Sequence, residues 1–203
     1  MIEVASLLGM SYTGKSTLAS TLLPRLADEG IIADVIKKDD AVRAFGRERY
    51  GEDDATGGYS ITGFLRRGQV PQHELHAWMN RQVRSSLELG HIAILEGGTR
   101  TRTAQAETLA DIELDPEGLR IYMLELPLPE MLRRARQRRK ETNRYDDRLP
   151  VALAKLYGQY RGINSADAPR AEDLDVSVLD ASLPTVEIAE IVANEIFESH
   201  VTE

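Results

Sequence analysis

Eight consecutive residues near the start of the chain have the types and the spacing that bind phosphate groups. Residues 9–16 read G-M-S-Y-T-G-K-S, which is the G-x-x-x-x-G-K-S pattern of a phosphate-binding loop. Gly9 and Gly14 lack a Cβ, so the backbone can wrap closely around phosphate oxygens. Lys15 can reach β- and γ-phosphates, and the hydroxyl of Ser16 can ligate Mg²⁺. The predicted phosphate-binding residues are Gly9, Met10, Ser11, Tyr12, Thr13, Gly14, Lys15, Ser16 and Thr17.

The sequence on both sides of this loop predicts the elements that would hold it in place. Residues 4–8 are an apolar run that predicts a buried strand, and residues 17–23 belong to a helix that opens after the loop. The N–H groups and the positive dipole end at the start of a helix attract anions. A glycine loop that precedes a helix by chance is the alternative, and the agreement of strand, loop and helix disfavours it.

Strands and helices alternate along the rest of the chain, which favours a parallel α/β sheet. We predict strands at about 2–8, 33–37, 91–96, 119–126 and 175–179. We predict helices at about 15–28, from 39, at 71–89, at 129–140, at 151–160 and from 184. Pro24 should kink the first helix or end its regular part. The polar segment 51–59 contains two adjacent glycines and should form a mobile loop.

The composition narrows the possible function classes. A chain of 203 residues is long enough for one domain with a substantial core. It has no cysteine, which excludes disulfides and thiolate metal sites, and its formal net charge of −8 argues against general nucleic-acid binding. No apolar run approaches the length of a membrane span and no secretory signal heads the chain, so we expect a cytoplasmic protein without membrane contact.

Acidic residues follow two predicted strands at the sheet edge where open parallel sheets bind their ligands. Glu96 ends a buried strand and, held close to Ser16, could orient Mg²⁺ or its water ligands. A solvated acid at a strand end is the alternative. Asp40 and Arg43 follow the second strand, which places them near a phosphoryl acceptor, while Asp39 suits a helix N-cap.

Eight basic residues lie between positions 133 and 148. Arg134 and Arg138 are four residues apart, so they share one face of a helix. Arginine can bind phosphate oxygens through two parallel N–H groups and keeps its charge, which suits a lid over transferring phosphates. A solvated helix face is the plain alternative. Nucleic-acid binding fits poorly, because Tyr145 is the only aromatic residue within the cluster.

Several segments of the chain resemble adenylate kinase and its nucleoside monophosphate kinase relatives, particularly those with a short lid. The similar segments are the loop at 9–16, I-K-K-D-D-A-V-R at 36–43, G-Q-V-P at 68–71 and L-E-G-G-T-R-T at 95–101. The short-lid pattern R-x3-R-x5-R-x-D-D is matched by Arg134, Arg138, Arg144, Asp146 and Asp147. After the phosphate-binding loop, this spacing is the most specific match.

The resemblance implies a three-layer α/β/α P-loop NTPase fold around a central parallel sheet of about five strands. It implies a single kinase domain over residues 1–203, with an acceptor-binding flap at about 39–71 and a short arginine-rich lid at about 134–147. ATP would be the phosphoryl donor, and Mg²⁺ would be the cofactor.

The same resemblance implies roles for individual residues. Arg134 would contact ATP, and the predicted catalytic residues are Lys15, Asp40, Arg134, Arg138 and Arg144. Arg43 and Arg100 would bind the phosphate of the acceptor. Lys155 occupies the position of a further active-site arginine in this family.

The first half of the chain also resembles adenylylsulfate kinase. The similar segments are G-M-S at 9–11, G-K-S-T at 14–17 and D-A-V-R at 40–43. That family phosphorylates a hydroxyl group, and a hydroxyl acceptor benefits from a carboxylate base. This second resemblance implies that Asp40 would be the base. A phosphorylated acceptor is already anionic and needs arginines more than a base.

The sequence leaves three hypotheses for the function. The first is an ATP-dependent kinase that transfers the γ-phosphoryl group to a nucleoside monophosphate or a similar phosphorylated small molecule. The second is a kinase that phosphorylates a small-molecule hydroxyl. The third is a P-loop NTPase switch, which the lid arginines disfavour because a switch usually obtains its catalytic arginine from a partner. We expect a small, nucleotide-like acceptor and no nucleic acid, and the sequence leaves the oligomeric state open.

Overall fold

Five parallel strands form one sheet in the computed structural model, which describes residues 1–42, 44, 72–97, 110–142, 149–163 and 176–201. The strands are β1 (Val4–Gly9), β2 (Ala33–Lys37), β3 (Ile92–Glu96), β4 (Leu119–Glu125) and β5 (Val176–Asp180). Their order across the sheet is β2-β3-β1-β4-β5, and each neighbouring pair is parallel. The predicted parallel sheet of five strands is therefore confirmed.

Helices separate the strands along the chain. They are α1 (Lys15–Asp28), α2 (Gln72–Glu88), α3 (Leu128–Thr142), α4 (Leu149–Ile163) and α5 (Thr185–Val201). A 3-10 turn at Pro116–Gly118 leads into β4, and residues 38–42 are helical directly after β2. None of the helices in the described part of the chain combines the length and the apolar character needed to cross a membrane.

Two apolar cores cover the two faces of the sheet. One core contains residues of α1 and α5, namely Leu18, Leu22, Leu26, Ile188, Val192 and Ile196. The other contains Leu75, Met79 and Val83 of α2. Strand β1 contributes Ala5 and Leu7 to the first core and Val4 and Leu8 to the second. Because helices cover both faces, the first five residues of β1 are all buried, Ser6 included, rather than alternately buried and exposed, and the predicted three-layer α/β/α fold is confirmed.

Glycines end two of these helices, as their positions in the sequence predict. Gly30 has a φ of 78° and Gly90 a φ of 74°, a conformation that glycine adopts without steric cost. The N–H of Ile31 donates to the carbonyl of Leu26 at 2.8 Å, and that of His91 donates to Ser86 at 3.0 Å. Both are the six-to-one bonds of a Schellman motif.

Pro24 does not end α1, which continues to Asp28. The proline removes one N–H donor from the helix, and the packing of α1 against the sheet retains the helical geometry beyond it. The other predicted boundaries differ from the observed ones by three residues or fewer. The loop expected at 51–59 and most of the flap expected at 39–71 lie outside the described residues.

A polar cluster joins β2, β3 and α2 at the end of the sheet where the strands begin. One carboxylate oxygen of Asp34 accepts a hydrogen bond from the Ser86 hydroxyl at 2.9 Å and lies 2.9 Å from Nδ1 of His91. The hydrogen bond with His91 lowers the pKa of Asp34 below its usual value, and the bond from Ser86 acts in the same direction. The ionised form of Asp34 therefore stabilises this end of the fold.

Replacing Asp34 should lower stability in a pH-dependent way. A carboxylate whose pKa is depressed by folding contributes stability above its unfolded pKa of about 3.9, and loses that contribution as the pH falls further. We expect Asp34→Asn to lower the free energy of unfolding by about 1 kcal/mol at pH 7, and by less below about pH 4. Urea unfolding across this pH range measures the effect.

Glu3→Gln is the matched control, because Glu3 is exposed at the same end of the sheet. We expect that variant to remain within about 0.5 kcal/mol of the unsubstituted protein at each pH. A loss in Asp34→Asn that stayed constant down to the lowest pH at which the protein folds would contradict the assigned role.

Candidate phosphate-binding site

The predicted phosphate-binding loop connects β1, which ends at Gly9, to α1, which begins at Lys15. Three residues of the loop have a positive φ, namely Gly9 at 139°, Tyr12 at 70° and Gly14 at 98°. A Cβ on Gly9 would lie 2.7 Å from the carbonyl oxygen of Leu124 on β4, so only glycine fits there. Gly14 precedes the first helical residue and supplies the left-handed turn that aims the start of α1 at the loop.

Lys15 folds back onto the loop that it follows. Its ammonium group donates to the carbonyl of Gly9 at 2.9 Å and to that of Met10 at 2.8 Å. The buried hydroxyl of Thr13 also donates to Met10, at 2.9 Å. These contacts hold a positive charge against the loop, where phosphate oxygens can replace the carbonyl groups as acceptors.

Ser16 and Glu96 are in contact, as the sequence predicts for a magnesium site. The Ser16 hydroxyl donates to one carboxylate oxygen of Glu96, which ends β3 beside Leu7 of β1. The other carboxylate oxygen of Glu96 is buried and has no hydrogen-bond partner in the described part of the chain. A buried oxygen without a partner is costly, and a hydrated Mg²⁺ would satisfy it.

These residues fit a metal that is shared with the nucleotide better than one held by protein alone. In the described ranges no group of three or more His, Cys, Asp or Glu side chains could enclose a metal ion. Mg²⁺ in nucleotide sites commonly uses one or two protein oxygens, substrate phosphates and retained water. Ser16 and Glu96 would supply the protein part of that ligand set.

Arg134 of α3 reaches the same loop. Its guanidinium donates to the carbonyl of Ala181 at 2.8 Å and to that of Thr13 at 3.4 Å. The guanidinium also lies 3.6 Å from the position that a Cβ on Gly14 would take. Arg134, one of the predicted lid arginines, therefore lies against the phosphate-binding loop.

Glu130 orients the first turns of α3. Its carboxylate accepts two hydrogen bonds from Arg133, at 2.7 and 2.5 Å, and one from Arg134 at 3.4 Å. The bonds from Arg133 are the main reason why the pKa of Glu130 falls to about 2. Glu130 therefore stays ionised well into the acid range, where its carboxylate can still orient the Arg134 side chain.

Gln159 of α4 is a contact to the loop that the sequence reasoning missed. Its side-chain oxygen accepts from the backbone N–H of Ser11 at 2.7 Å, and its side-chain nitrogen donates to the Ser11 hydroxyl at 3.0 Å. Gln159 lies on the buried side of α4 with Ala152 and Leu156. A polar residue that continues an apolar helix face is the one signal in the sequence that could have identified it.

The remaining predicted site residues are described only in part. Asp40 lies on the helical turn after β2, at the carboxyl edge of the sheet, with its side chain exposed. Arg138 lies in α3 and Lys155 in α4. Three further predicted residues lie outside the described ones, namely Arg43, Arg100 and Arg144. Their roles remain predictions.

Comparison with solved structures shows the same overall fold in proteins of low sequence identity. The tunicamycin resistance protein of Deinococcus radiodurans is 17% identical, with a TM-score of 0.60 over 97% of this chain and 96% of that one. A gluconokinase from Sinorhizobium meliloti 1021 is 16% identical, with a TM-score of 0.59 over 98% and 95% of the respective chains.

A third similar structure is the APS kinase of Mycobacterium tuberculosis in complex with AMPPNP and APS. It is 18% identical, with a TM-score of 0.56 over 95% of this chain and 96% of that one. At this level of identity the likeness establishes the fold, and the predicted P-loop fold is confirmed. The narrower resemblance to adenylate kinase stays a prediction.

Comparison with sequences gives the family. No match was found among curated proteins. A model of the AAA domain family matches residues 4–161, which include the loop, Glu96, Arg134 and Gln159 and make up well over half of the chain. The protein therefore belongs to this AAA domain family.

Proposed function

We propose that this protein is an ATP-dependent kinase that transfers the γ-phosphoryl group to a small molecule. The observation that carries the proposal is the convergence of four groups on one loop, namely Lys15, Ser16, Glu96 and Arg134. Together they supply a cation for the phosphates, a metal-binding pair and an arginine fork. Phosphoryl transfer depends on such positioning and charge stabilisation rather than on covalent chemistry by the protein.

Mg²⁺ would contribute charge neutralisation at the β- and γ-phosphates when bound with ATP. Lys15 would exchange its carbonyl acceptors for phosphate oxygens, and its charge would stabilise the group in transfer. Arg134 would approach the phosphates from α3, beside Gly14. Arg138 and Arg144, as predicted from their spacing, would act when the lid closes and excludes water.

We propose a phosphorylated acceptor, such as a nucleoside monophosphate, as the first choice. The arginine spacing of the short lid supports it, together with the predicted phosphate ligands Arg43 and Arg100. The main competitor is a hydroxyl acceptor with Asp40 as the base. Asp40 at the end of β2 supports this alternative, as does the structural likeness to a gluconokinase and an APS kinase.

One screen tests both forms of the proposal. Purified protein is incubated with ATP and Mg²⁺, and ADP formation is followed with nucleoside monophosphates, nucleosides and hydroxyl metabolites. Stimulation by one small molecule, with no protein partner, would support a kinase. Hydrolysis stimulated only by another protein would instead support an NTPase switch.

Removing the loop lysine should abolish most of the activity. We expect Lys15→Ala to lower turnover by at least about 10²-fold, because the charge at the transferring group is the main catalytic contribution. Arg81→Ala is the matched control, since Arg81 is an exposed cation on α2, outside the predicted lid. Near-normal turnover in a folded Lys15→Ala protein, verified by thermal denaturation, would refute the kinase proposal.

Replacing Glu96 should change the dependence on magnesium. We expect Glu96→Gln to raise the Mg²⁺ concentration for half-maximal turnover by about 10-fold or more, because the substitution removes the charge beside Ser16. Titration of Mg²⁺ at fixed ATP measures this value. Glu125→Gln is the control, because Glu125 also ends a strand but is exposed and lies on β4. Equal magnesium curves for the two variants would contradict the metal assignment.

Two further substitutions distinguish the acceptor classes. With a hydroxyl acceptor, Asp40→Asn should lower kcat by about 10²-fold or more, as is usual for loss of a general base. With a phosphorylated acceptor, Arg43→Ala or Arg100→Ala should be the severe change, because these arginines would position the attacking phosphate. Both are measured with the acceptor found in the screen. A severe Asp40→Asn defect with a mild Arg100→Ala defect would exclude the phosphorylated acceptor.

A further inference from the structure

Gln159 contacts the phosphate-binding loop from a distant part of the chain. It is separated from Ser11 by 148 positions in the chain, and its two hydrogen bonds measure 2.7 and 3.0 Å. Its side chain is almost fully buried, with 9% of the residue exposed. A buried amide with both polar atoms satisfied by one partner residue fixes that partner in both position and orientation.

The residue that follows Ser11 has a backbone conformation that neighbouring contacts must hold in place. Tyr12 has a φ of 70°, which is uncommon for a residue with a Cβ and costs about 1 kcal/mol or more. Such a conformation persists only where the neighbouring contacts determine it. Ser11 before it is held by Gln159, and Thr13 after it is held by its own bond to Met10 and by Arg134.

Two of the contacts that reach the loop from outside it come from consecutive helices. Arg134 lies on α3 and Gln159 lies on α4, and these helices flank residues 143–148. Arg134 of α3 therefore bonds the carbonyl of Thr13, which follows Tyr12. Gln159 of α4 bonds the N–H of Ser11, which precedes Tyr12. The contacts of Gln159 and Arg134 thus form a clamp on the two sides of Tyr12.

We propose that Gln159 is a positioning residue that holds the phosphate-binding loop in its nucleotide-binding shape before ATP arrives. The inference rests on the proposed function only in taking ATP as the ligand. A loop that is already ordered loses less conformational entropy on binding, so the clamp increases the affinity for the triphosphate. Gln159 does not contact the phosphates in this role, because its two polar atoms are bonded to Ser11.

The test is the affinity for ATP with Mg²⁺, measured by calorimetry without an acceptor. Gln159→Met keeps the length of the side chain and removes both hydrogen bonds, so ATP affinity should fall by about 10-fold or more. Gln82→Met is the matched control, since Gln82 is exposed on α2, outside the predicted lid. That control should retain its affinity.

A conservative variant separates loop positioning from simple core packing. In Gln159→Glu, the carboxylate can still accept from the Ser11 N–H and from its hydroxyl. The Ser11 N–H, followed by hydrogen exchange in the nucleotide-free protein, should therefore exchange within about threefold of its rate in the unsubstituted protein, whereas in Gln159→Met it should exchange about 10-fold faster or more. Equal acceleration in the Met and Glu variants would overturn the proposal, as would unchanged ATP affinity in a folded Gln159→Met protein.

If Gln159→Met does not fold, Ser11→Ala tests the proposal from the loop side. It removes the hydroxyl bond and keeps the backbone bond, so ATP affinity should fall by about two- to fivefold. Unchanged affinity in that variant would then overturn the proposal. Absence of ATP binding by the unsubstituted protein would refute the proposed function itself. If Lys15→Ala weakened ATP binding while the Gln159 and Ser11 variants did not, only the role of Gln159 would be refuted.

Discussion

The close approach of β1 to β4 at Gly9 is the constraint on which the site depends. Gly9 pairs with Leu124 at the end of the parallel ladder, and a Cβ there would lie 2.7 Å from the Leu124 carbonyl. The chain must therefore leave the sheet through a glycine with a positive φ and turn directly into the loop. Because α1 begins only after a second such glycine, Gly14, the backbone between the two glycines forms a loop outside the sheet ladder. Lys15, Arg134 and Gln159 all contact this short segment.

The charged groups around the loop would favour the binding of a triphosphate together with a metal ion. The chain carries a formal net charge of −8, and Glu96 lies beside Ser16 at the start of α1. A carboxylate next to phosphates would repel them unless a cation lies between the two groups. The buried oxygen of Glu96, which has no partner among the described residues, is available to such a cation, and under the proposed function Lys15 and Arg134, which lie against the loop, would contact the phosphates. This arrangement explains why an acidic residue belongs in an anion site.

The sequence predicted the parts of the site that depend on local pattern. Strand, loop and first helix follow from neighbouring residues, and the pairing of Ser16 with Glu96 follows from the way parallel strands end at one edge. Gln159 could not be paired with Ser11 in this way, because neither residue carries a motif and the fold alone brings them together. The Ala181 carbonyl that receives Arg134 is a backbone atom, which no side-chain pattern encodes. The positive φ of Tyr12 is likewise a conformation that its residue type does not predict.

The two ends of the sheet differ in how their polar groups are bonded. At the end where the strands begin, Asp34, Ser86 and His91 satisfy one another, so their polar atoms are used within the fold. At the opposite end, Glu96 retains an oxygen without a protein partner, and Lys15 uses carbonyl groups that a phosphate can replace. Polar groups that are fully satisfied rigidify a structure, whereas incompletely satisfied ones favour a ligand that completes them. The buried apolar faces of the sheet hold both ends at a fixed separation. The binding site can therefore keep costly, unsatisfied groups without loss of the fold.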